Sequence, residues 1–150
     1  MGQPEGLKLN PAMQLIRGYC CLYNTPTNRV SADVLTTETL LPGCFDDSIK
    51  EGKTVACVNH DLDRIIGSQK KGSLRLFPTA KGIRFELDSR KVIKGITGVS
   101  FLFVPLTYRQ ADSHQAALVR GALIEISILT GSERPAYPQL TPYLTILNRR

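Results

Sequence analysis

Short stretches rich in apolar residues recur along the chain and are separated by glycine, proline, asparagine or aspartate. Stretches of this kind, with alternating or continuous apolar positions, predict β-strands. Two of them are joined by the five residues PTAKG, whose proline and glycine predict a β-hairpin. The strand-like segments are residues 15–23, 54–58, 73–77, 83–87, 98–106, 122–130 and 143–147.

Helix signals are few. PGCFDDSIKEG, residues 42–52, predicts one short helix that begins near Cys44, because acidic residues stand in its first turn and Gly52 follows its end. Residues 110–120, QADSHQAALVR, fit a loop or a single helical turn. Many short strands separated by turns therefore predict a mainly β fold with few helices (α+β), arranged as a small barrel or sandwich.

Length and composition limit this fold further. The 150 residues are 42% hydrophobic and 21% charged, which suits an ordinary globular protein. We expect one domain over residues 11–147 and a flexible N-terminal arm over residues 1–10. The apolar stretches are too short for a membrane span, and the first ten residues lack a signal-peptide core. The sequence therefore predicts an intracellular protein without a membrane partner.

The four cysteines and the net charge of +6 narrow the possible chemistry. No CxxC spacing exists, and both histidines lie far from any cysteine pair, so a structural zinc site is not expected. We expect four reduced and mostly buried thiols. The basic residues are scattered, without an RNA-recognition motif or a helix-turn-helix pattern. Nucleic-acid binding is a weak hypothesis that rests on the net charge alone, and it ranks third after the two functions considered below.

Three strand-like segments each carry one polar residue among apolar neighbours: Ser100 in GITGVSFLF, Glu125 in ALIEISILT, and His60 just after TVACV. Ser100 is either a filler that hydrogen-bonds locally or a nucleophile. His60 is either a surface or structural residue or a base. Glu125 is harder to place, because a lone buried carboxylate costs several kcal/mol. It needs water at a sheet edge, an arginine partner or a histidine partner.

Together the three residues supply what a serine nucleophile requires. A serine hydroxyl needs a base to take its proton, and an imidazole does this near neutral pH. A carboxylate then holds the imidazole in one tautomer and stabilises its positive charge. His114 lies in a polar stretch and is expected to be an ordinary surface residue. Because a sequence carries no geometry, the residues alone leave both interpretations open.

Around these residues the chain resembles the prohead, or capsid maturation, proteases of tailed bacteriophages. These proteases look like distant relatives of the herpesvirus assemblin serine proteases. The similar segments occur in the family's order, cover about residues 15–140, and are more specific as a series than singly. They are IRGYCCLYN, LLPGCFDDSI, VNHDLDRIIGSQKKGSLRLFPTAKGIRFELD, GITGVSFLF, and LIEISILT with RPAYPQ.

The resemblance implies an assemblin-like closed β-barrel with short flanking helices. It places the family's catalytic serine on Ser100, its histidine on His60 and its acidic third member on Glu125. It implies a serine endopeptidase without metal or cofactor, acting inside the assembling procapsid in the cytoplasm of the bacterial host. The implied substrates are the scaffold protein or the scaffold-like extension of the major capsid protein. Self-cleavage and homo-oligomers are left open.

The chain departs from the family pattern in three places. The family usually has a helix of several turns before the serine strand, where DSRKVIKG, residues 88–95, is too short. The family's glycine two residues after the serine is Leu102 here, on the side of Ser100. GSER, residues 131–134, looks inserted. These departures motivate an alternative: a catalytically degenerate protease-like barrel that binds scaffold or capsid protein.

Overall fold

The computed structural model describes residues 13–31, 34–112 and 114–149 of the protein. The expected N-terminal arm, residues 1–10, lies outside this part. Over the described residues the chain forms a short α-helix, α1 (Asp46–Glu51), and a 3-10 helix (Pro138–Tyr143). Its strands are β1 (Gln14–Leu22), β2 (Thr27–Ser31), β3 (Val34–Leu40), β4 (Val55–Val58), β5 (Asp61–Ser68), β6 (Leu74–Pro78), β7 (Gly82–Ser89), β8 (Ile96–Asp112), β9 (Gln115–Thr130) and β10 (Thr145–Asn148).

The strands form two sheets. One has four antiparallel strands in the order β10-β1-β7-β6. The predicted hairpin is its β6–β7 pair, in which Pro78 lies opposite Ile83 across the PTAKG turn. The other sheet has six strands in the order β2-β3-β9-β4-β5, with β8 paired to β9.

The long strand β9 organises the six-stranded sheet. Its first part pairs in parallel with β3, and its last part pairs in parallel with β4. Along its opposite edge it pairs in antiparallel register with β8. Ser127 of β9 therefore lies opposite Cys57 of β4 on one side and opposite Ser100 of β8 on the other.

The hydrophobic core joins residues from both sheets, the residues just before α1, and the 3-10 helix. Alternation along β8 and β9 sends one set of side chains into this core and the next set to the other face. Each fully buried aliphatic or aromatic side chain contributes roughly 1.5–3 kcal/mol. The core includes Ile16, Phe45, Leu74, Phe85, Leu87, Val99, Phe101, Ile126, Ile128 and Leu140.

The mainly β class with few helices is confirmed. The short helix is confirmed as α1, and Gly52 ends it in the left-handed conformation at φ 71°. All four cysteines are free and buried, as expected. The closed barrel is not confirmed, because the described strands form two sheets that no strand pairing joins.

The prediction for residues 110–120 was wrong. Most of them are extended, because Gln115 to Leu118 pair with β3 on one edge and with β8 on the other. Pairing on two edges overrides a local composition that does not favour strands. Residues 90–95, between β7 and β8, contain no helix, in agreement with the shortened segment noted in the sequence. No helix in the described ranges is long and apolar enough to cross a membrane.

Candidate active site

His60 lies in a tight turn between β4 and β5. Val58 and Asp61 are paired, so Asn59 and His60 form a two-residue hairpin loop. Both loop residues have positive φ, 51° for Asn59 and 58° for His60. A two-residue loop with positive φ at both positions has the form of a type I′ turn. Asparagine is favoured in such turns, whereas holding a histidine there costs on the order of 1 kcal/mol or more.

Hydrogen bonds to β9 hold this turn. The side-chain amide of Asn59 donates to Thr130 Oγ1 at 2.9 Å, and the Thr130 backbone N–H donates to Asn59 Oδ1 at 2.9 Å. The Asn59 backbone N–H donates to the Ile128 carbonyl at 3.0 Å. The His60 backbone N–H donates to Ser127 Oγ at 2.6 Å. Both residues of the turn are therefore fixed to the end of one strand.

The imidazole of His60 contacts the carboxylate of Glu125. The two groups are joined through His60 Nδ1 and Glu125 Oε1. Glu125 is 1% exposed, whereas the His60 side chain is 43% exposed. A carboxylate only accepts hydrogen bonds, so Nδ1 carries the proton that it donates, and Nε2 is left for another partner. Of the three environments expected for Glu125, the structure contains the histidine partner.

Ser100 lies on the same face of the sheet as Glu125. It is paired with Ser127 and is 4% exposed. Directly opposite residues have Cβ atoms about 4.5–5.5 Å apart, so the Ser100 side chain adjoins Ser127, which holds the His60 turn. Within the described residues no hydrogen bond joins Ser100 to His60. The structure thus brings His60 to Glu125 directly and brings Ser100 beside them.

Two neighbours of this site were not singled out in the sequence. Cys57 and Ser127 are buried and lie opposite each other, with Cys57 Sγ 3.8 Å from Ser127 Oγ. The pKa of the Cys57 thiol is raised to about 11, mainly by burial; the Ser127 hydrogen bond opposes this shift and the charge of Glu125 adds to it. The thiol is therefore protonated at neutral pH and is a poor nucleophile.

One sequence signal was available for Ser127. It stands two residues after Glu125, and residues two apart in a strand share a face. We call the face that carries Cys57, Ser100, Glu125 and Ser127 the site face.

Leu102 also lies on the site face, opposite Glu125 and two residues after Ser100. It is 49% exposed, so the leucine occupies space beside the serine at the surface. Val104 follows on the same side of β8 by alternation, and Leu106 comes next, at the irregularity in the register between Pro105 and Thr107; both are about half exposed. We call Leu102, Val104 and Leu106 the β8 stripe.

A family model described as Caudovirus prohead serine protease matches residues 7–143. The chain belongs to this family. The resemblance to the prohead proteases of tailed phages is thereby confirmed. The relation of this family to the herpesvirus assemblins stays a prediction. No curated protein and no solved structure matches the chain.

The other features singled out in the sequence add little to this candidate site. His114 is exposed in the turn between β8 and β9, with its Nδ1 3.4 Å from the Leu35 carbonyl oxygen. In the part of the chain that the structure describes, no group of three or more His, Cys, Asp or Glu residues is placed to hold a metal ion. That the chemistry needs no metal or cofactor stays a prediction.

Proposed function

We propose that the protein is a serine endopeptidase of phage capsid maturation, with Ser100 as nucleophile, His60 as general base and Glu125 as the residue that orients His60. The contact between His60 Nδ1 and the buried Glu125 carboxylate carries this proposal. A carboxylate that fixes one imidazole nitrogen leaves the other free to act on a serine. Ser100 is paired with Ser127 next to this contact, which supports the assignment.

The reaction begins when Ser100 Oγ attacks the carbonyl carbon of the scissile peptide bond. The Ser100 proton moves to His60 Nε2, and the resulting imidazolium is stabilised by the Glu125 carboxylate. When the tetrahedral intermediate collapses, the C–N bond breaks. The leaving amine takes the proton from His60 Nε2, and an acyl-Ser100 ester remains.

Water completes the cycle. It attacks the ester carbonyl while His60 Nε2 takes its proton, and the Ser100–acyl bond then breaks. His60 returns the proton to Ser100 Oγ, and a free carboxylic acid leaves. Glu125 stays ionised throughout, because it orients and stabilises the imidazole without taking the proton itself.

We infer that the substrates are the scaffold protein or a scaffold-like extension of the major capsid protein, cleaved inside the assembling procapsid in the host cytoplasm. Membership in the prohead serine protease family supports this class of substrate. Whether the enzyme also cleaves its own chain is decided by the incubation described next, in which self-cleavage would produce shortened protease fragments.

The direct test incubates the purified chain with capsid and scaffold proteins from the same phage. Wild type is expected to give discrete fragments, and Ser100→Ala is expected to give none. Ser89→Ala is a matched control, because Ser89 is buried in the other sheet. A fluorophosphonate probe should label wild type at Ser100 with one equivalent. Cleavage that persists in Ser100→Ala would contradict the assigned nucleophile.

A second candidate function is a catalytically degenerate member that binds scaffold or capsid protein without cutting it. The half-exposed Leu102 beside the nearly buried Ser100 favours this alternative, since both limit access to the hydroxyl. It predicts binding of scaffold or capsid protein in pull-down or titration, with neither fragments nor fluorophosphonate labelling. Stoichiometric labelling of Ser100 would exclude it.

A further inference from the structure

We propose that Ser127 and Asn59 are positioning residues, which hold the His60 imidazole against Glu125 by fixing the backbone of the β4–β5 turn to β9. The inference rests on the proposed function, because it concerns the base of that reaction. It assigns a role to two residues outside the serine, histidine and acid.

The Ser127 hydroxyl makes the first attachment between the β4–β5 turn and β9. Ser127 is fully buried, and its Oγ accepts the His60 backbone N–H at 2.6 Å. The His60 ring is bound to Glu125, which stands two positions before Ser127 on β9. His60 is therefore held at two points, its backbone and its ring, by neighbouring side chains on one face of β9.

Asn59 makes the second attachment between the turn and β9. Its side chain makes a reciprocal pair of hydrogen bonds with Thr130, both of 2.9 Å. Asn59 and His60 are also the two residues with positive φ in the hairpin loop. Each left-handed residue thus has its own attachment to β9, which is what keeps a strained conformation in a single state.

One strand therefore supplies the carboxylate and both attachments. Glu125, Ser127 and Thr130 all belong to β9, whose pairing with β4 on one side and β8 on the other fixes their spacing. The position of the imidazole is consequently set by the central strand that also faces Ser100.

Kinetics of three variants test Ser127. Ser127→Ala should lower kcat for a capsid-derived peptide by about 10- to 100-fold, since small misplacements of a catalytic group have effects of that size. KM should stay unchanged, because Ser127 does not touch substrate. Ser127→Thr keeps Oγ and suits a strand, so it should retain most of the activity. The matched control is Ser89→Ala, another buried serine with local hydrogen bonds.

Asn59→Gly separates attachment from backbone strain. Glycine adopts positive φ without steric strain, so this variant can keep the backbone of the turn, yet it loses both side-chain bonds to Thr130. A loss of kcat in a stable Asn59→Gly protein supports the inference. Full kcat in Asn59→Gly would show that the turn needs no attachment there, and full kcat in Ser127→Ala would overturn the role of Ser127.

An NMR measurement in the Ser100→Ala background keeps the test independent of catalysis. The chain has two histidines, so His114 is an internal reference for His60. Adding Ser127→Ala should speed hydrogen exchange of the His60 backbone amide and weaken the downfield imidazole N–H resonance of the Glu125 contact. Unchanged signals would overturn the inference even in an active protease. A wild-type chain that cleaves nothing would overturn the proposed function, and the NMR result would still decide the role of Ser127.

Discussion

The β8–β9 hairpin has two halves that differ in what they bury. In the inner half, residues 96–103 and 123–130, buried side chains occur on both faces of the ribbon, including polar Ser100 and Glu125, and the exposed exceptions are Leu102 and Ile124. In the outer half, residues 104–112 and 115–122, every β8 residue from 104 to 110 is exposed. Along β8, polar Ser100 is therefore buried while the apolar β8 stripe is exposed.

Strand pairing does not explain this difference. β8 pairs with β9 along both halves, and each half contains irregularities in the register. What differs is which parts of the protein cover the two faces of the hairpin. The inner half has the core on one face and the His60 turn on the other, and the outer half of β8 has neither. Burying a carboxylate and two serines away from the core costs free energy unless partners are provided, and His60 provides one. The buried polar residues of the inner half therefore coincide with the proposed active site.

The largest effect is expected from removing charge in the inner half. Glu125→Gln should lower kcat by about 10²- to 10⁴-fold, because an amide no longer holds the imidazole with Nδ1 protonated. The outer-half control Asp112→Asn should leave kcat unchanged. Cleavage of a capsid-derived peptide measures both variants. A Glu125→Gln enzyme with wild-type kcat would remove the functional distinction between the halves.

The second prediction compares packing. Phe101 is 5% exposed and stacks on Tyr137 at 4.7 Å, so Phe101→Ala should lower the free energy of unfolding by about 3–5 kcal/mol. Leu106→Ala in the outer half should cost no more than about 0.5 kcal/mol. Urea unfolding monitored by circular dichroism gives both values. If the two variants cost the same, Leu106 is covered in solution and the outer half is not a free surface.

The third prediction concerns Leu102, at the boundary of the two halves. Leu102→Gly removes the side chain beside Ser100 and should raise kcat/KM on the order of tenfold or less, as expected for a few methylene groups. Val104→Gly removes a similarly exposed strand side chain farther from the serine. It should cost a similar amount of stability, about 0.5–1 kcal/mol, without the gain. A fall in kcat/KM for Leu102→Gly would mean that this leucine contacts substrate productively.

The smallest effect is expected from the thiol next to the inner half. The pKa of Cys57 is raised by burial from 9.0 to about 11. Between these values the unfolded chain loses the thiol proton and the native chain keeps it, so stability falls as pH rises. The slope is at most about 1.4 kcal/mol per pH unit for one thiol. Melting temperatures from pH 8 to pH 11 should fall less steeply in Cys57→Ala than in wild type; equal slopes would contradict the shift.

Local patterns predicted much of the fold, and their failures have physical causes. Apolar runs located β1, β4, β6, β7 and the inner parts of β8 and β9, and the capping residues located α1. The strands β2, β3 and β5 were missed, because they are polar or charged and owe their conformation to pairing. The same cause made residues 110–120 appear irregular.

The candidate site was predictable as residue types but not as an arrangement. A serine, a histidine and an acid in apolar surroundings, with the family resemblance, selected Ser100, His60 and Glu125. Ser127 and Asn59 were missed, because their contacts depend on the register of β4 against β9. Register between strands distant in sequence is set by the assembled sheet, which a local pattern does not contain.

The parallel pairing of β4 with β9 also decides when the site can exist. His60 and Glu125 are 65 positions apart, and Ser127 is 67 positions from His60. Contacts between such distant residues form slowly, because the loop between them must close, at a cost in conformational entropy, before the contacts can stabilise the fold. During synthesis, His60 and Ser100 leave the ribosome before β9. A growing chain therefore contains the proposed nucleophile and base before Glu125 can orient His60, and we expect no cleavage until β9 has paired with β4.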